Sequence, residues 1–290
     1  MNPQGLFCGN SGKIRIADFS LLFMKYQGIY FMKKTLIALA VAASAAVSGS
    51  AMAWSNGNFK GSVEFGGTVT PVKKETVWEV KTGAAVNNLN TRIQEGQKVV
   101  NISAPQDISI LGIRSKTNTF GAQQGISPQI NYAGRVDLRS GSWGKMNLNL
   151  DVLDKATSKK IGSLFVENFN AAGGVSMKGT DADGVYSVKA PNAGDAFHGG
   201  VRLGDEGGDA QSVMAFFGGE VAAYFSDQGL ERTFKRVKNF NFTEAGTAIY
   251  SAFYASGIKK GENIRITLSN PARADEIVWK ASLPITVSYQ

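Results

Sequence analysis

The chain has 290 residues, 43% of them apolar and 19% charged, with a formal net charge of +8, one histidine (His198) and one cysteine (Cys8). A metal centre built from several histidines or cysteines, a disulfide framework and thiolate chemistry are thereby excluded from everything beyond Cys8. Five of the 31 basic and one of the 23 acidic residues precede Trp54, leaving a net charge of +4 after it, which gives no support to nucleic-acid binding.

Residues 1–31 are expected to be an artefact of start-site assignment, because Met32 opens a secretory signal peptide over 32–53. Met32-Lys33-Lys34-Thr35 is its basic head, Leu36–Val47 its short apolar middle, and Ala51-Met52-Ala53 its small-residue cleavage site. The apolar run is too short for a membrane span, which needs roughly 20 residues. Cleavage between Ala53 and Trp54 leaves 237 residues, enough for one large domain.

From Phe59 to Val69 the odd positions read Phe59, Gly61, Val63, Phe65, Gly67, Val69, and the even ones are mostly polar. This is a strand with one apolar face, about 37 Å long at the usual rise. Strands follow at Val99–Ile102, Ile108–Ile113, Ile126–Tyr132 and Val136–Leu138, separated by Gly, Asn, Asp or Pro. Met146–Leu153 alternates cleanly and forms the best hairpin with Ile161–Val166. The Gly-rich stretch 171–245 differs, and an insertion is expected there. It contains a helix-like run at Ala210–Phe217 with Val221–Phe225, and a second at Asp227–Phe240 with Leu230, Phe234 and Val237 at helical spacing. Ile264–Leu268, Ile277–Ala281 and Leu283–Tyr289 read as closing strands, the last with Leu283, Ile285, Val287 and Tyr289 on one face.

Motifs for chemistry are sparse. His198 lies beside a glycine pair, without a Gly-x-Ser-x-Gly elbow, and reads as a loop residue. Asp181-Ala182-Asp183-Gly184 opens like a calcium loop, but the twelfth position, where a bidentate Glu is required, is Asn192. Asp205, Glu206 and Asp209 read as a solvated loop. The glycine pairs match no phosphate-binding pattern. Arg232, Lys235, Arg236 and Lys238 form a basic run, read first as a solvent face and second as an attraction for acidic glycans. No catalytic residues, cofactor or metal site are assigned.

The leader from Met32 to Ala40, the run Gly61-Ser62-Val63-Glu64-Phe65-Gly66-Gly67 and the aromatic close at Tyr289 resemble the K88-type fimbrial subunits, within the chaperone–usher pilins of enteric bacteria. The resemblance implies a mostly β fold: an incomplete immunoglobulin-like sandwich over 73–290, completed by a donor strand, with the partly helical insertion at 171–245. Segment 54–72 would be the donor, filling a neighbour's groove with Phe59, Gly61, Val63, Phe65, Gly67 and Val69. Leu283, Ile285, Val287 and Tyr289 would border the chain's own groove and meet a periplasmic chaperone. The implied partners are that chaperone, an outer-membrane usher, neighbouring subunits and a host glycan, with export through the periplasm to the surface fimbrium. Receptor contacts would fall on the insertion, with Phe216, Phe217, Tyr224, Phe225, Arg232, Lys235 and Arg236 as candidates; the plainer reading makes the aromatics the insertion's own core. Ile277 departs from the glycine many pilins carry fourteen residues from the end. The missing disulfide agrees with the K88 type.

Limited likeness outside the termini points to a minor subunit. The alternatives are a major subunit that is itself the adhesin, an outer-membrane β-barrel, which shares the leader, the alternation and the terminal aromatic, and a periplasmic hydrolase, which lacks any convergent acid–base set.

Overall fold

The computed structural model describes residues 57, 65–68, 76–244 and 246–290. Two compact units divide at Pro71/Val72, and the fold described is that of the second.

Short alternating runs bounded by turn residues become fourteen strands: β1 Trp78–Thr82, β2 Val99–Ser103, β3 Ile108–Ser115, β4 Phe120–Gly121, β5 Pro128–Asn131, β6 Val136–Asp137, β7 Lys145–Asp154, β8 Lys160–Lys178, β9 Gly184–Val188, β10 Arg236–Lys238, β11 Ile249–Ile258, β12 Asn263–Leu268, β13 Trp279–Lys280 and β14 Thr286–Tyr289. Among the described residues helical structure is confined to one turn, α1 at Ala210–Val213, and a 3-10 stretch at Phe216–Ala222.

The expected hairpin is present. β7 and β8 pair antiparallel with Leu148 opposite Val166 and Leu150 opposite Leu164. Met146, Leu148, Leu150 and Val152 are all buried, as their alternation requires. β8 is the organising strand, 19 residues long. Its first half lies between β7 and β12, and β2 lies beyond β12; its second half lies between β9 and β11, followed by β3 and β1. One strand thus serves both layers of a β-sandwich, and the main core between them takes Leu148, Val166, Ile266, Val175 and Tyr254. The main sheet order ends at β1 and β2 without closing, so the outer-membrane barrel reading is overturned.

The second half of β8 is covered on its other face too. Ala172, Val185, Phe253 and Ala255 point away from the main core and pack with Val213, Phe216, Val221, Phe225 and Phe234. Gly173 and Gly174 divide between the two cores. A Cβ on Gly173 would come within 2.6 Å of the Phe197 ring, and one on Gly174 within 2.5 Å of Phe253. The first eight residues of the stretch 171–245 therefore belong to β8 itself, and the added layer comes from later in the stretch.

The helix expected over Asp227–Phe240 is not formed. Gln228 and Phe234 take left-handed backbone at φ 57 and 50, which no α-helix accommodates. A turn leads instead into β10, which pairs parallel with β9. Phe234 is buried in the second core, so its apolar spacing from Leu230 reflects anchoring of an irregular segment rather than a helix face.

Candidate functional site

The carboxyl-terminal strand β14 is held along one edge by β5. β14 pairs with β5 from Thr286 opposite Asn131 to Tyr289 opposite Pro128, and Gln290 exchanges two backbone hydrogen bonds with Ser127. β5 is held from behind: the Ile130 amide donates to the His198 carbonyl at 2.8 Å, and the buried Gln129 side chain donates to the Asp195 carbonyl at 2.9 Å. His198 thus serves β5 with its backbone, while its Nδ1 lies 2.8 Å from the Ala190 carbonyl. The opposite edge of β14 has no strand beside it among the described residues.

Leu283, Ile285, Val287 and Tyr289 are half-buried, and Pro284, Thr286, Ser288 and Gln290 are exposed. The half-buried row packs on the main core together with Ile277, Trp279 and Ala281. Val86, Leu89 and Ile93, from the strandless segment 83–98, join the same core and are also only half-covered. Partial burial raises the Tyr289 hydroxyl pKa, against a lowering by its hydrogen bond with Thr76. These apolar side chains touch the core and stay half-exposed.

Of the donor positions, Phe59, Gly61, Val63 and Val69 lie outside the described residues, as do Ala51, Ala53 and Trp54 of the cleavage site. Phe65 and Gly67 are described; they are exposed and in no strand, with Phe65 95% accessible.

The candidate receptor residues separate. Phe216 and Phe225 are buried, with Phe225 5.1 Å from Phe253 and 5.6 Å from Phe234 between ring centres, so neither is free to stack on a ligand. For these two the plainer reading holds. Tyr224 is exposed beneath the Arg114 guanidinium at 4.5 Å, and Phe217 is half-buried. Arg232 is paired with Asp227 at 3.0 Å, and Arg236 donates to the Asp183 carbonyl at 2.7 Å while lying over Tyr186. Lys235 is exposed and lines a cavity of about 410 Å³ with Trp143, Glu206 and Asp209. A larger cavity of about 520 Å³ lies between β1, β3 and the 3-10 stretch, lined by Glu79, Val80, Lys81, Gly112, Arg114, Phe217, Glu220 and Val221. This second set was not legible from spacing, because Glu79 and Glu220 are far apart in sequence. Its charges are paired: Lys81 with Glu220 at 2.6 Å and Arg114 with Glu79 at 2.9 Å. The Lys81 hydrogen bond holds the Glu220 carboxyl below its ordinary range. No cluster of metal-ligating side chains occurs among the described residues.

A family model described as "Fimbrial, major and minor subunit" matches residues 32–290. The chain belongs to the K88 fimbrial subunit family. K88 fimbrial proteins AC and AB of Escherichia coli are each 34% identical to it, over 89% of this chain and the whole of theirs. The F41 fimbrial protein of Escherichia coli is 32% identical over the same shares. The match runs from residue 32 to residue 290, so the whole of the described β-sandwich is a fimbrial subunit's. Such subunits are structural components of surface appendages rather than enzymes, and they associate with other fimbrial subunits.

Proposed function

We propose that this K88-family subunit is exported, held by a periplasmic chaperone, and added to the fimbrium through an outer-membrane usher by donor-strand exchange. The observation that carries this reading is the half-wet row Leu283, Ile285, Val287 and Tyr289 on a strand with one free edge. Val86, Leu89 and Ile93, which pack on the same core, lie on a segment without strand structure, and one more strand beside β14 would complete an immunoglobulin-like layer. Phe59, Val63, Phe65 and Val69 supply such a strand from the next subunit. Burying those four side chains would contribute roughly 6–12 kcal/mol before ordering costs, and the joint would open very slowly. This is strand addition, with backbone pairing for affinity and alternate side chains for register. Co-expression tests it: soluble subunit should accumulate only with the cognate chaperone. Soluble, folded subunit in the chaperone's absence would contradict the reading.

In the fimbrium the subunit contributes to cell adhesion as a minor component. The likeness to the K88 and F41 proteins runs over their whole length and is not confined to the termini, and a second reading is a main shaft subunit that is itself the glycan-binding adhesin. Immunogold labelling separates them: sparse label means a minor subunit, continuous label the shaft. In either case the candidates left for a glycan are the exposed Tyr224, Arg232, Lys235 and Arg236 and the half-buried Phe217.

A further inference from the structure

The first strand of the sandwich has no strand on its outer edge among the described residues, and its sequence is self-complementary. β1 pairs with β3 on one side only. The hydrogen bonds Gly83 N–H to Ile110 C=O at 3.0 Å and Lys116 N–H to Val77 C=O at 2.8 Å set the phase of that ladder. With Glu79 opposite Arg114 and Lys81 opposite Gly112, the odd residues of β1 are the ones bonded to β3. Trp78, Val80 and Thr82 therefore aim their backbone groups away from the sheet. The Trp78 amide is satisfied by Thr76 Oγ1 at 3.3 Å. The outward amides of Val80 and Thr82 have no partner among the described residues.

The side chains add a second observation. Glu79, Val80, Lys81 and Thr82 are all exposed, Val80 to 44%. An exposed edge with an apolar centre is a template for pairing, and a lone charge on it is a common safeguard against that. Here the two flanking charges are opposite in sign, which safeguards against most registers and favours one. An antiparallel copy centred on Val80 sets Glu79, paired in its own chain with Arg114, opposite the other copy's Lys81, paired in its own chain with Glu220, and Lys81 opposite its Glu79, so that charges of alternating sign meet across the contact. These fall in the closely spaced, non-hydrogen-bonded pairs, where opposed side chains interact best. Val80 meets Val80 at the centre. In that register the two Val80 residues exchange N–H to C=O bonds and each Thr82 N–H reaches the other copy's Trp78 carbonyl, adding four backbone hydrogen bonds without disturbing the Trp78–Thr76 contact.

We propose that β1 is an interaction surface for a second copy of this chain, two β1 strands pairing antiparallel about Val80. The contact is short and therefore weak between single molecules. Between two fimbriae, each presenting many copies, it is multiplied by avidity and becomes a lateral fibre-to-fibre contact. It uses neither β14 nor residues 59–69, and stands whether or not donor-strand exchange is the assembly route.

The test is sedimentation of the full chain up to about 1 mM, purified alone if it is soluble alone and otherwise with its cognate chaperone bound, where a millimolar contact is half-filled. Wild type should form dimers. Glu79→Lys and Lys81→Glu alone should each associate roughly tenfold more weakly, since both cross-strand pairs become repulsive. An equimolar mixture of the two variants should recover dimers, because each then faces its complement. On wild type alone, hydrogen exchange at the Val80 and Thr82 amides should slow as concentration rises, while the Glu79 and Lys81 amides, already bonded to β3, stay unchanged. A wild type that is monomeric throughout, single variants that dimerise like wild type, or a mixture that fails to dimerise would overturn the proposal.

Discussion

The hydroxyl oxygens of Tyr132 and Tyr254 lie 2.8 Å apart in the core, and each has one proton to give. Tyr254 donates to the Gly200 carbonyl at 2.8 Å, so Tyr132 must be the donor to Tyr254. Ser256, 2.8 Å from the Tyr132 oxygen, then completes the chain as donor to Tyr132. Three hydroxyls in an apolar interior are thus satisfied by one direction of donation. Burial pushes the Tyr132 hydroxyl up to about 12 and that of Tyr254 well above its ordinary value.

Alkaline stability should report this chain. The folded state keeps protons that the unfolded tyrosines release above about pH 10. Stability is therefore whole below pH 10 and is lost as the pH rises towards 12. The Tyr132 shift alone is worth roughly 3 kcal/mol over that window. Denaturant unfolding measured across this range should show the fall. Tyr132→Phe should cost about 1–2 kcal/mol at pH 8 and fall less steeply above pH 10. An unchanged slope in that variant would remove the network as the cause.

Gly174 should be intolerant of side chains for a reason local to β8. An added Cβ meets Phe253 at 2.5 Å and Phe234 at 2.7 Å, two rings fixed within the second core. Gly174→Ala is expected to destabilise by about 1–3 kcal/mol through overpacking. Gly121→Ala, with nothing within 4 Å of the new Cβ, is the control and should be nearly neutral. Thermal melts of the two variants decide it.

Adjacent aromatics in the added layer should behave as opposites. Phe225→Ala removes a ring packed on Phe234 and Phe253 and should cost about 3–5 kcal/mol. Tyr224→Ala removes an exposed ring held by Arg114 and should cost no more than about 1 kcal/mol. A loss of cell adhesion in Tyr224→Ala with an intact melting temperature would place receptor binding at this face. Unchanged adhesion there and in Lys235→Ala would remove these two residues from the receptor site.

The contrast explains what was legible in the sequence. β7, β12 and β14 each bury one face, so period-two alternation in residues such as Met146, Leu148 and Leu150 announces both strand and side. The second half of β8 buries both faces, and Ala171–Met177 carries no alternation to read. Asp227–Phe240 misled for the opposite reason: Leu230, Phe234 and Val237 have helical spacing, but each is placed by contacts with other elements, and Phe234 needs left-handed backbone to reach its pocket. The half-buried row Leu283, Ile285, Val287 and Tyr289 was readable because 283–290 alternates strictly. The cavity between β1 and the 3-10 stretch was not, because the Lys81–Glu220 pair spans 139 positions.

Donor and acceptor functions should be separable by single substitutions at opposite ends of the chain. Val63 lies on the apolar face of the 59–69 run, and Val287 lies half-buried beside the free edge of β14. An aspartate at either place puts a charge where a completed sandwich has core, which is expensive unless paired. Val63→Asp should abolish donation and leave the groove intact, so this variant still accepts a strand and still binds the chaperone. Gly61→Trp should act likewise, by bulk where the strand must lie close. Lys60→Ala and Ser62→Ala, on the polar face, should assemble normally. Val287→Asp should do the reverse, donating but not accepting, with weakened chaperone capture. Mixed together, Val63→Asp and Val287→Asp subunits should form dimers and stop, since each supplies one half of one joint. Native gels of the mixture read the outcome directly. Long fibres from either variant alone would show that polymerisation does not run through these two surfaces. Deletion of 54–69 checks the same logic from the other side. If that run were an ordinary first strand of its own sandwich, the deletion would abolish the folded subunit; as a donor, its loss should leave a folded subunit that only accepts.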